Sequence, residues 1–289
     1  MKKNRSNIVL VLVLLVGLSL ILYPSVSDYW NSFHQSRAIA NYAEAVADID
    51  NDKYDALWQS ALDYNAQLAQ MGVQWEFTEE QKAAYKSELD MTGTGVMGYI
   101  EIQKINCLLP IYHSTEDAVL QIAIGHIEGS SLPVGGDSTH CILSGHRGLP
   151  SARLFTDIDQ LLEGDTFVLR TLDETLTYQV DKIRIVLPYE LDDLQIEPGR
   201  DLCTLVTCTP YGVNSHRLLV RGHRVENAPE AQRIRVTGDA FLIDSFVVAP
   251  LVALPMLLVL LIALLLSSAK KRDRRKVLSK MEVRADEKQ

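Results

Sequence analysis

The 289-residue sequence contains no Cys-x-x-Cys pair, no internal repeat and no low-complexity tract. Its four cysteines, Cys107, Cys141, Cys203 and Cys208, are too few for a disulfide-dense scaffold. Without ligand pairs at metal spacing they do not build a zinc site. Cys203 and Cys208 lie five apart, so on one strand they face opposite sides, which disfavours a bond between them. Positive charge is scarce in the middle of the chain. The net charge is −9; residues 1–5 carry +3 and residues 270–289 carry +5, which leaves −17 on residues 6–269. So acidic a middle argues against nucleic acid and other polyanions as partners.

Long apolar stretches are confined to the two ends. Ile8 to Tyr23 is a charge-free run, and Phe246 to Leu266 is a second, interrupted only by prolines. At about 1.5 Å per residue the second is long enough to cross a hydrocarbon core of roughly 30 Å; the first is marginal without its flanks. Lys2, Lys3 and Arg5 precede the first run, and a cluster from Lys270 to Lys276 follows the second. Basic flanks stay on the cytoplasmic side, so both ends are expected inside and the middle outside. A basic start, an apolar core and Ser25-Val26-Ser27 also fit a cleavable signal peptide. An uncleaved anchor is the preferred reading, and on either one the middle is exported.

Between the runs the texture changes twice. Residues 24–72 carry apolar residues at helical spacing (Ile39, Tyr42, Ala43, Val46, then Tyr54, Leu57, Trp58, Ala61, Leu62, Leu68), broken at Asp50-Asn51-Asp52. Two surface helices are expected, either packed on a domain or forming a stalk. Residues 73–97 are irregular, with Trp75 and Phe77 among acidic residues, and read as a linker or a lid. After Gly98 short strands are expected at Tyr99–Ile102, Ile105–Leu109, His140–Ser144, Thr166–Arg170, Leu176–Val186, Leu202–Thr207 and Leu218–Arg224. Short helices are expected at Thr115–Gln121, capped by Thr115, and at Ser151–Asp157. Many short strands with turn signals indicate an antiparallel or mixed barrel or sandwich. The expected segments are residues 1–23 (anchor or signal), 24–97 (helical region), 98–226 (β domain), 227–245 (linker), 246–266 (membrane helix) and 267–289 (basic tail).

Three residues could carry chemistry. Cys208 ends an apolar strand before a turn rich in Pro210, Gly212, Asn214 and Ser215, and Arg217 opens the next strand. A hairpin return brings thiol and cation together. His146 follows another strand within Ser144-Gly145-His146-Arg147-Gly148. A thiol with an ordinary pKa of ~8.5 becomes a useful nucleophile near a cation, and a histidine beside it can protonate a leaving amine. Arginine stays charged, so it can only hold carbonyls and an oxyanion. The plainer alternatives are a small buried hydrophobe at Cys208 and a turn residue at His146. His34, His113, His126, His140, His216 and His223 read as packing or surface residues, and no carboxylate partner for His146 is assignable.

Thr207-Cys208-Thr209-Pro210-Tyr211-Gly212-Val213-Asn214-Ser215-His216-Arg217-Leu218-Leu219-Val220-Arg221-Gly222 resembles the active-site signature of sortases, most closely class C, the pilin-polymerising type of Gram-positive bacteria. Gly145-His146-Arg147-Gly148 followed by Leu154-Phe155-Thr156-Asp157 is similar to the family's histidine segment. Gly98-Tyr99-Ile100-Glu101-Ile102 resembles the strand that opens its barrel. The resemblance runs from about Gly98 to Arg224, and the preceding helices and second membrane run suit class C. It implies a mainly β fold, a closed eight-stranded barrel with N-terminal and short connecting helices, flanked here by two membrane segments. It implies cysteine transpeptidation with Cys208 as nucleophile, His146 as general acid/base and Arg217 as substrate and oxyanion clamp. No cofactor or metal is implied, and the calcium site of some housekeeping members is not identifiable. The implied partners are surface proteins with an LPxTG-like sorting signal, joined to a lysine of the next pilin.

The sequence departs from class C at one place. The Asp-Pro-aromatic lid triplet of the class is absent, and Trp75-Glu76-Phe77 is the nearest candidate lid. The sequence is also compatible with two other functions. One is a sortase anchoring single proteins to peptidoglycan precursors; the other is a non-catalytic exported binding barrel in which Cys208 is merely buried.

Overall fold

The structure, a computed structural model, describes residues 2–227. The second apolar run, its basic tail and nearly all of the expected 227–245 linker lie outside the described residues. The chain opens with α1 (Lys2–Ala47), a helix that contains Pro24. Among the described residues it is the one helix long and apolar enough to cross a membrane, by length and composition.

One stripe of α1 packs on the domain that follows: Gln35, Ile39 and Tyr42 are buried and recur at helical spacing. The Tyr42 hydroxyl donates to Met97 O (3.0 Å) and accepts from Leu172 N (2.7 Å). These bonds satisfy a phenol that burial holds far from ionisation. Helix α2 (Asn51–Met71) starts where Asp50 accepts from Lys53 N and stops at Gly72, whose φ of 79° only glycine adopts readily. The segment read as irregular contains a third helix, α3 (Glu79–Ser87), nucleated by a capping box between Thr78 and Gln81. Its buried Tyr85 anchors it to the domain.

Eight strands follow: β1 (Val96–Ile102), β2 (Cys107–His113), β3 (Ile124–His126), β4 (Thr139–Ser144), β5 (Thr166–Thr171), β6 (Glu174–Val186), β7 (Asp201–Thr209) and β8 (His216–Val225). They close into a barrel in the order β1-β2-β3-β4-β7-β8-β6-β5. β2 with β3 and β4 with β7 are parallel; the other pairs are antiparallel. Inward side chains such as Ile100, Leu169, Leu205 and Val220 fill the interior beside a stacked Phe167–Tyr178 pair. Each fully buried aliphatic of this kind contributes roughly 1.5–3 kcal/mol.

Several local expectations change. Ile105 lies in a 3-10 turn, Gln103–Ile105, so the second strand starts at Cys107. The helix α4 (Asp117–Leu120) takes Glu116, not Thr115, as its N-cap. Ser151–Asp157 forms turns and an isolated bridge, Leu149 with Ala152, and the helical turn comes later, at Ile158–Gln160.

The barrel wall contains a pH-sensitive histidine. His140 on β4 is buried, with Nδ1 at 2.8 Å from Gln195 O and Nε2 at 2.7 Å from Thr204 Oγ1. Burial pushes its pKa down to about 4 despite the Gln195 carbonyl. The unfolded chain takes up this proton near pH 6.5, so the stability it confers is complete above about pH 6.5 and is lost as pH falls toward 4. The loss is about 3 kcal/mol, and His113, also depressed by burial, adds to it in the same direction. Asp193 and Glu197, held below the usual carboxylate range chiefly by Lys182 and Arg200, add a separate loss at lower pH. Chemical unfolding of the chain in detergent between pH 7 and 4.5 is expected to show the histidine slope. It is expected to shrink in His140→Gln, and an equal slope in that variant would remove His140 as its source.

Candidate active site

Strands β7 and β8 bring Cys208 and Arg217 directly opposite each other in register. Cys208 is the next-to-last residue of β7, not the end of a shorter strand, and the chain turns through a cis Thr209–Pro210 bond. Cys208 and Arg217 are both half-exposed, whereas Cys107, Cys141 and Cys203 are buried; all four cysteines are free. Burial pushes the Cys107 thiol up to about 12 and raises Cys203 well above the ordinary range. Those two are inert, and Cys208 is the accessible thiol.

The Arg217 Nη1 donates to Asn214 O (3.2 Å) and His216 O (3.1 Å). These bonds tether the guanidinium to the β7–β8 turn. No described carboxylate pairs with it, so its remaining N–H groups have no protein acceptor among the described residues.

His146 reaches the same end of the barrel by a different route. β4 runs parallel to β7 as far as Ser144 opposite Val206. The pairing is extended by Gly145 N donating to Val206 O (3.0 Å) and Thr207 Oγ1 donating to Gly145 O (2.7 Å). His146 follows at once, beside the level of Cys208. A Cβ at position 145 would sit 2.7 Å from the Phe155 ring, so glycine lets that ring pack against the backbone there. The next residue, Arg147, pairs with Asp159 and reaches Thr209 Oγ1 (3.4 Å), which links the histidine loop to the cysteine strand. Among the described residues no side chain hydrogen-bonds the His146 ring. Its position is set by the loop backbone.

By strand alternation Cys208 and Arg217 share the outer face of the sheet with Val206 and Leu219. Those two join Ile142, Val186 and Leu194 in an apolar cluster beside the site. Asp181, Arg200, Glu197 and Arg221 form an ion-paired group that braces the β6–β7 connection. A thiol, a fixed cation and an imidazole at one end of an apolar strip are suited to attack on a peptide carbonyl.

The candidate lid lies elsewhere in its contacts. Gln74 N donates to Gly129 O (3.0 Å) in the β3–β4 connection, and Phe77 packs edge-on against Tyr85. Trp75 and Glu76 are exposed. None of the described hydrogen bonds, ion pairs or ring contacts joins Trp75, Glu76 or Phe77 to Cys208, His146 or Arg217. Sequence reading passed over Thr207 and Arg147, the residues that lock the two loops together. Their signal was position alone, each adjoining one of the paired residues.

The family model described as the Sortase domain matches residues 100–225. A sortase C1 from Streptococcus agalactiae is 57% identical, with a TM-score of 0.65, over 66% of this chain and 100% of that one. A sortase C from Streptococcus pneumoniae is 40% identical, with a TM-score of 0.59, over 67% of this chain and 99% of that one. Among curated proteins, sortase D of Bacillus subtilis is 29% identical over 149 residues, which is 50% of this chain and 70% of that protein.

Proposed function

Because the chain belongs to the sortase family, cysteine transpeptidases whose class C members are its structural neighbours, we propose that Cys208, His146 and Arg217 form its catalytic site and that it polymerises pilins. The observation that carries this reading is the convergence of β4, β7 and β8. Cys208 and Arg217 are cross-strand partners, and His146 leaves β4 at the same end.

The Cys208 thiol passes its proton to His146, and its Sγ attacks the threonine carbonyl carbon of an LPxTG-like sorting signal. The carbonyl oxygen takes the electron pair, and the Arg217 guanidinium stabilises that charge. On collapse the Thr–Gly bond breaks, and His146 delivers a proton to the departing glycine amine. A thioester to Cys208 remains. A lysine amine of the next pilin then attacks this thioester, His146 takes its proton, the thiolate leaves and an isopeptide bond is formed. The S. pneumoniae relative is a sortase C reported for its pilin substrate specificity.

The domain works outside the membrane, held by α1 and by the second apolar run, with both termini cytoplasmic. The direct test is to incubate the chain in detergent with candidate pilins and look for covalent ladders. Absence of ladders together with release of a single anchored product would favour attachment to a peptidoglycan precursor.

The Trp75-Glu76-Phe77 segment acts as a strap across the β3–β4 connection in this reading. Trp75→Ala and Phe77→Ala are expected to change the rate of Cys208 labelling by a small thiol reagent by less than about twofold. A tenfold rise in either variant would make the segment the cover of the site.

A further inference from the structure

The loop that carries His146 is folded on itself. Phe155 N donates to His146 O (3.1 Å), Gly148 N donates to Thr156 Oγ1 (3.1 Å), and Leu149 bridges Ala152. Its outer turn, however, is held by another element. From α1, Asn31 Nδ2 donates to Ser151 O (2.8 Å), and Asp28 Oδ1 accepts from Arg153 N (2.9 Å). One turn further along the same stripe, Gln35 Nε2 donates to Ile122 O (2.6 Å), just before β3. Positions 28, 31 and 35 share one face of a helix. Tyr29, Trp30 and Phe33, on other faces, are exposed.

The polar stripe therefore meets two backbone groups of this turn, Ser151 O and Arg153 N. Among the described residues no side chain hydrogen-bonds the imidazole, so what fixes the loop fixes the ring. A misplacement of about 1 Å in a catalytic group can cost on the order of a hundredfold in rate.

Taking His146 as the acid/base of the proposed mechanism, we infer that Asp28 and Asn31 are positioning residues, which hold the histidine loop through its 151–153 turn and couple the anchoring helix to the proton-transfer step. They touch neither substrate nor thiol, so their loss acts on turnover and spares both binding and Cys208 itself.

The test uses the full chain in detergent and a peptide containing an LPxTG-like signal. The double variant Asp28→Ala/Asn31→Ala is expected to lower kcat at least tenfold. KM and the rate of Cys208 alkylation by iodoacetamide are expected to stay within about twofold. The conservative pair separates bonding from charge and from fold. Asp28→Asn keeps an acceptor for Arg153 N and is expected to stay within about twofold of the parent. Asn31→Asp removes the donor to Ser151 O and is expected to fall with Asn31→Ala. The inference is overturned by a double variant that turns over normally, by Asp28→Asn failing as badly as Asp28→Ala, or by a loss confined to KM. If the double variant does not fold, the Asp28→Asn and Asn31→Asp results decide. His146→Ala run alongside keeps the two readings apart. Full activity in that variant removes the acid/base role, whereas an inactive His146→Ala with normal Asp28 and Asn31 variants removes only the positioning role.

Discussion

Replacing Cys208 by alanine is expected to reduce pilin ladder formation to background while leaving the barrel folded. The thiol is half-exposed on β7 and fills no core space. Its removal opens no cavity of the kind that costs several kcal/mol in a packed interior. In the proposed mechanism it removes the atom that forms the thioester, and no other described cysteine can replace it. Cys107, Cys141 and Cys203 are buried, and Cys141 and Cys203 face each other across β4 and β7 inside the wall. The measurement is two-fold: ladders with pilin substrate, and an unfolding midpoint within a few degrees of the parent. A folded Cys208→Ala variant that still forms ladders would end the thioester mechanism.

The second large effect is expected at Arg217. Arg217→Lys keeps the positive charge beside Cys208 but loses the planar fork. In Arg217 one nitrogen serves both the Asn214 and His216 carbonyls and the rest of the five-donor fork is left for a developing oxyanion, whereas an ammonium holding the same carbonyls keeps at most one N–H, with no fixed plane to aim it. Removal of one such donor typically costs about 10²–10³ in turnover, and a loss of about a hundredfold in kcat is expected. If charge alone were needed, Arg217→Lys would turn over near the parental rate, and the clamp role would fall. Because Arg217 is half-exposed at the mouth of the turn, the variant is expected to unfold at a normal midpoint. That separates a chemical effect from a structural one.

The parts of this site that could be read in the sequence are those whose signal is local. The turn residues between Cys208 and Arg217 announce a hairpin, and the hairpin puts the two side chains in register. The eight-stranded closure came from family resemblance, since short apolar runs with turn signals are equally consistent with a sandwich. What stayed hidden was set by contacts distant in sequence. β3 is three residues long and exists because β2 and β4 flank it. So short a run has no periodicity of its own. The Ser151–Asp157 stretch looks helical in composition, but its backbone groups are taken by Asp28 and Asn31, more than a hundred residues earlier. Helix α3 was obscured by acidic residues, which here serve as the favourable first turn of a capped helix.

The strand order has a consequence for when the protein can first act. The last two strands, β7 and β8, are inserted between β4 and β6. A nascent chain that ends before them has two unpaired edges, the kind of edge that invites association with other chains. Closing the gap requires β7 to find β4 across a separation of 62 residues, as between Thr139 and Asp201. Such non-local pairing is slow compared with forming a hairpin. Cys208 and Arg217 arrive on that same closing hairpin. With Cys208 as the proposed nucleophile, a chain still being synthesised therefore carries no competent thiol, and its folding and its activity finish in a single event.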